Sequence, residues 1–209
     1  MWKHGKVEVN FLVVHIHRKA GVRLINTIYT DGGCYNTGDK KGMGSFAYLS
    51  PVSFQSGCVK VICGRLENTT NNRAEMIAII QAIKSNKSQK HIITDSGYVV
   101  KGLYNPSYLS RWIKNGWVTS AKKPVLNKDL WRKLHRLGWH YQFTLEVMKG
   151  HNKDNDKEKA FWNNICDKVC TYILQNEDKF ELGYTYTAYY DFVTQKISLG
   201  IEMTERIDD

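Results

Sequence analysis

Residues 24–34 read LINTIYTDGGC. The first seven are rich in β-branched and aromatic side chains and predict a strand at 24–30. Asp31 then stands at the carboxyl end of that strand, in YTDGG. That end of a strand is where α/β sheets build their sites. Working outward, similar runs predict strands at 43–50 (MGSFAYLS), 56–63 (SGCVKVIC), 90–95 (KHIITD) and 141–148 (YQFTLEVM). In the last, Tyr141, Phe143, Leu145 and Val147 share one face. Helical spacing fills 72–86, 96–104, 107–114, 127–137 and 158–175. The 127–137 helix is signalled by Asn127 as N-cap, Asp129 in the first turn, a stripe of Leu130, Trp131, Leu134 and Leu137, and Gly138 as a stop. Three strands, a helix, a strand, helices, a strand and a helix make an α/β domain. Its antiparallel meander enters a mixed sheet covered by helices.

The chain has 209 residues, 42% hydrophobic and 24% charged, which supplies a real core and excludes a disordered polymer. No apolar run approaches the roughly 18 residues of a membrane span. The N-terminal run at 11–14 is too short for a secretory signal. The net charge is +10. Much of the excess is one block: residues 101–141 hold nine bases and one acid, and Trp112, Trp117, Trp131 and Trp139 are interleaved with them. Cations for phosphate and rings for sugars and bases are what a nucleic-acid groove uses; a solvated helix face over core tryptophans is the plain alternative. Residues 174–209 oppose it with eight acids and three bases. Five cysteines form no C-x-x-C pair, which fits reduced thiols in a cytoplasmic or similarly reducing compartment. Cys166 and Cys170, four apart on a helix, read as core.

Four carboxylates stand out by position. Asp31 ends the first strand, Glu75 lies in the first turn of the 72–86 helix, Asp95 ends the 90–95 strand, and Asp167 lies in the last helix amid apolar residues. Singly, each has a structural explanation as a cap, a turn residue or a dipole partner. Converging on one point, they would repel unless hard cations with oxygen ligands sat between them.

These segments resemble the type 1 ribonuclease H family. The resemblance rests on YTDGGC (29–34), TTNNRAEM (69–76), TDSGYV (94–99), GW followed by KKPVLNKDLW (116–131), KGH (149–151) and the helix with Asp167, in family order over about residues 24–175. It implies a ribonuclease H-like five-stranded mixed sheet flanked by helices, and endonucleolytic cleavage of the RNA strand of RNA–DNA hybrids to 5′-phosphate and 3′-hydroxyl ends. Asp31, Glu75, Asp95 and Asp167 would hold two Mg²⁺ ions, with Mn²⁺ as the alternative. His151 would correspond to the mobile-loop histidine that aids proton transfer or product release. Cys34, Asn36, Asn71 and Asn72 match positions that read the 2′-hydroxyls of RNA. Thr70 and Asn127 match a DNA-phosphate pocket, and Trp112, Trp117, Lys122 and Lys123 a basic protrusion cradling the DNA strand. The chain departs from the pattern at Asn164, Gly97 and Asn68.

The resemblance leaves two extensions outside the 24–175 catalytic domain: 1–23, with a strand at 6–16, and the acidic, tyrosine-rich 176–209, with a hairpin at 184–193 and 196–203. The strand and hairpin are expected to pair in a small separate sheet; recruitment of a protein partner is the alternative. The expected particle is a monomer, with no membrane association. A silent hybrid-binding module, an integrase- or resolvase-like nuclease, and a domain cut from a reverse transcriptase are the competing classes.

Overall fold

β1 (Thr27–Cys34) runs through the middle of the sheet in this computed structural model, which describes residues 27–105, 107–148 and 157–207. The antiparallel meander continues through β2 (Gly44–Leu49) and β3 (Cys58–Leu66). On the other side of β1, β4 (Lys90–Thr94) and β5 (Phe143–Val147) add in parallel. Five strands are therefore mixed as expected. The sheet does not stop there: β6 (Tyr184–Asp191) pairs antiparallel with β3, and β7 (Ile197–Arg206) with β6. Among the described residues the order is β5-β4-β1-β2-β3-β6-β7, seven strands.

The C-terminal hairpin thus extends the main sheet, where a separate small sheet was expected. The reason lies in β3. Its Val59, Val61 and Cys63 are fully buried, and they stand opposite Tyr190, Ala188 and Tyr186 of β6, on the same face. Without β6 this strand would present open backbone groups and a half-covered apolar row. The strand predicted at 6–16 lies outside the described residues.

Among the described residues five helices cover the sheet: α1 (Asn71–Lys84), α2 (Gly97–Tyr104), α3 (Leu109–Lys114), α4 (Lys128–His140) and α5 (Lys157–Gln175). α5 closes one face over Tyr29, Ala47, Val61 and Tyr186, through Ile165, Val169 and Ile173. α1 and α4 close the other over Ile28, Ile92 and Leu145, through Ile79, Ile83 and Trp131. α4 departs from expectation at both ends. Asn127 occupies the cap position but has a left-handed backbone (φ 57°) and makes no capping bond; its side-chain amide donates to the Tyr98 hydroxyl at 3.2 Å instead. Gly138 does not stop the helix, which runs to His140. Among the described residues no helix is long and apolar enough to cross a membrane.

Candidate metal and nucleic-acid site

The site begins with a close backbone approach. A Cβ on Gly32 would lie 2.3 Å from the Ala74 carbonyl carbon and 2.5 Å from the Glu75 nitrogen. Only glycine lets β1 and α1 touch here, and that contact brings Asp31 and Glu75 together. α1 starts at Thr70, whose hydroxyl accepts from the Arg73 amide at 3.3 Å. Glu75 is then the fifth residue of the helix, not in its first turn as expected. Asp31 also sits differently: β1 runs later than predicted, so Asp31 is inside the strand, paired with Ala47. Asp95 directly follows β4, next to β1 in parallel.

Carboxylate oxygens of Asp31, Glu75 and Asp95 all lie within 4.8 Å of one another. Burial first, then the charges of Asp95 and Asp167, pushes the Asp31 carboxyl up to about 7. Burial, then the charges of Asp31 and Asp95, holds Glu75 well above the usual carboxylate range. Glu75 Oε2 and Asp95 Oδ1 are buried without a hydrogen-bond partner. One buried and two half-buried carboxylates that carry two buried, unpartnered oxygens are costly without a cation. An all-oxygen donor set of this kind fits a hard divalent ion.

α5 lies along β1. Cys166 Sγ donates to the Tyr29 carbonyl at 3.5 Å and Cys170 Sγ to the Asp31 carbonyl at 3.6 Å. Both thiols are buried, and burial raises both well above the usual thiol range. They serve packing, as the helical spacing suggested. Asp167 stands beside them on the exposed side of α5. Its charge reaches Asp31, but it does not join the 4.8 Å trio. His151 lies outside the described residues.

Around the trio, the Asn71 side-chain oxygen accepts from the Cys34 amide at 2.8 Å, and Cys34 Sγ lies 3.4 Å from the Asn36 side-chain oxygen. Asn71 and the loop after β1 are thereby held together beside Glu75, with Thr70 and Asn72 exposed at the same helix start. The basic block forms a separate feature. Trp112 packs on buried Trp131 at 5.4 Å, and Tyr108 on Trp112 at 5.6 Å. Beyond them Lys122 and Lys123 stand exposed on a turn closed by the Val118–Pro124 bridge, with Trp117 half-buried at its base. Lys101, Arg111, Lys114, Arg132 and Arg136 are exposed too. Trp131 is core and most of the bases face solvent, as the plain alternative expects.

Sequence reasoning missed what joins the two features. Arg73 of α1 binds Asp129 of α4 through two bonds, 2.9 and 2.6 Å. This fork ties the helix bearing Glu75 to the helix start bearing Asn127. The partners are 56 positions apart, and no spacing rule reads such a pair.

The RNase H family model matches residues 25–173. The chain is 37% identical over 153 residues to Ribonuclease H of Chlorobaculum parvum, covering 72% of this chain and 96% of that one. It is 38% identical over 146 residues to Ribonuclease H of a Thermoanaerobacter species, covering 69% and 86%. Among solved structures, the PFV RNase H domain superposes with a TM-score of 0.56 at 24% identity, covering 71% of this chain and 93% of that one. LC9-RNase H1, a type 1 RNase H with the type 2 active-site motif, superposes with a TM-score of 0.54 at 19% identity, covering 70% of each chain. These superpositions bear on the fold.

Proposed function

The chain belongs to the RNase H family, and from that premise we propose that it cleaves the RNA strand of RNA–DNA hybrids endonucleolytically, using two divalent metal ions and leaving 5′-phosphate and 3′-hydroxyl ends. The observation that carries this reading is the clustered trio of Asp31, Glu75 and Asp95, with its buried, unpartnered oxygens. These three, with Asp167 at the exposed rim, would hold Mg²⁺, or Mn²⁺ in its place. Divalent ions bound there supply activation of the attacking water and stabilisation of the leaving oxygen.

The remaining residues position the hybrid. Asn71 and Asn72, with Cys34 and Asn36, offer short polar groups to the 2′-hydroxyls that distinguish RNA. Thr70 and Asn127 lie at the starts of α1 and α4, helices joined by the Arg73–Asp129 pair, which suits one DNA phosphate between them. Lys122 and Lys123, on the turn beyond Trp112 and Trp117, hold the DNA strand further out by non-specific charge. His151 is assigned proton transfer or product release on the family resemblance alone. All five cysteines are free, in keeping with a reducing compartment.

The test is incubation with Mg²⁺ and an end-labelled RNA–DNA hybrid, with duplex DNA and single-stranded RNA as controls. Hybrid-dependent RNA cleavage that Asp31→Asn and Asp95→Asn abolish is the expected result. No cleavage, or cleavage that survives both substitutions, would sink the mechanism. Chelation with EDTA should stop the reaction and excess Mg²⁺ restore it.

A further inference from the structure

Three aromatic rings from separate stretches meet near the end of the sheet where β1 begins. Phe54 follows the 3-10 turn Pro51–Ser53 between β2 and β3, Phe192 follows β6, and Phe161 lies near the start of α5. Phe54 meets Phe192 edge-on at 5.2 Å, and Phe161 stacks on Phe192 at 5.6 Å. Trp162 backs them, 5.1 Å from Phe161, and reaches the core through Tyr29 at 6.4 Å. Yet Phe54 is 49% exposed and Phe161 47%, and the neighbouring Val52 and Val193 are 69% and 86% exposed. Scattered exposed apolar residues are ordinary, whereas rings packed on one another and open to water mark a surface that something covers.

The chain itself leads to this surface. Ser50 Oγ donates to the Thr27 carbonyl at 2.9 Å. From Ser50 the backbone turns at once, Ser53 N to Ser50 O at 2.9 Å and Phe54 N to Pro51 O at 3.1 Å. Thr27 is the first described residue, so residues 1–26 enter the fold beside the turn that carries Phe54. Those residues include the apolar run FLVVHI at 11–16. The stretch between them, 17–26, spans up to about 35 Å when extended, ample to seat the run on the rings.

We propose that residues 11–16 pack on the Phe54–Phe161–Phe192 surface, so that the chain covers its own aromatic patch with its N-terminal segment. Thr27 precedes Asp31 by about 13 Å of strand, so the contact leaves the carboxylate trio alone.

Hydrogen exchange on the full chain tests this. Amides at 11–16 should exchange at least about tenfold more slowly than an unstructured peptide, independently of protein concentration. Phe54→Ser with Phe161→Ser should remove that slowing, leave α1 and β4 protected and leave hybrid cleavage unchanged. Exchange at the unstructured rate in the native chain would overturn the proposal. So would slowing that survives the double substitution, which places the run elsewhere, such as the outer edge of β7. Slowing that vanishes on dilution would assign the surface to a second copy of the chain. Should the double substitution loosen α1 and β4 as well, Val193→Asp, at an exposed position beside Phe192, gives the same reading without touching the rings.

Discussion

Replacing Asp31 by asparagine should stabilise the metal-free protein while it destroys the site. The side chain is only 8% exposed. Burial, followed by the charges of Asp95 and Asp167, raises its pKa from 3.8 to about 7. An acid whose pKa is higher folded than unfolded binds its proton more tightly in the folded state. Its contribution to stability is complete below pH 3.8 and is lost as the pH rises to about 7. A rise of that size corresponds to about 4 kcal/mol once the group is fully ionised. Asparagine is nearly isosteric and never ionises, so it escapes that cost. It also relieves Glu75, whose carboxyl Asp31 pushes up. Asparagine forfeits part of the hydrogen bonding that the Asp31 carboxylate draws from the Gly32 amide, which leaves a net gain of about 2–3 kcal/mol. The assay is urea unfolding followed by circular dichroism in EDTA, over a range of pH. At about pH 8 the variant should be the more stable protein, and its stability should vary less than that of wild type between about pH 4 and 7. Adding Mg²⁺ should raise wild-type stability and do little for the variant. Equal stabilities at alkaline pH, or an unaltered pH slope, would refute the claim that the trio is electrostatically frustrated without metal.

Gly32→Ala places a Cβ 2.3 Å from the Ala74 carbonyl carbon. It should cost about 1–3 kcal/mol in urea unfolding and, by separating Asp31 from Glu75, at least about tenfold in hybrid cleavage. Lys122→Ala with Lys123→Ala should weaken hybrid binding and flatten its dependence on salt by about one unit for each phosphate no longer neutralised, measured by fluorescence anisotropy across a salt series. An unchanged slope would place phosphate elsewhere. Deleting 180–209 removes Phe180, Tyr186, Ala188 and Tyr190 from the α5-side core. Burial of the three aromatic side chains is worth on the order of 6 kcal/mol, comparable to the whole stability of a small domain. The truncated chain should be unfolded or insoluble, as read by circular dichroism and sedimentation. A folded, active truncation would show that β3 tolerates an open edge.

The sequence alone determined the element order, the placement of Glu75, Asp95 and Asp167 on or just after named elements, and the concentration of charge in one aromatic-laced block. Those properties are local, because periodicity, turn residues and charge runs are read within a few positions. The tertiary structure decided what meets across the fold. It selected Asp31, Glu75 and Asp95 as one cluster and set Asp167 at its exposed side. The selection follows from the contact at Gly32 and from the way α5 lies along β1, neither of which has a local signature. Asp31 was expected at a strand end because the β-branched and aromatic run stops at Thr30. Pairing with β2 carries the strand on to Cys34, since Gly32 and Gly33 find partners in Phe46 and Ser45. The hairpin shows the same division. Its alternation is plain in the sequence, but alternation does not name a partner strand. β6 sits on β3 because Val59, Val61 and Cys63 offer an apolar row in the register that Tyr190, Ala188 and Tyr186 complete. The choice of partner belongs to burial summed over both strands, which exists only once the chain has folded.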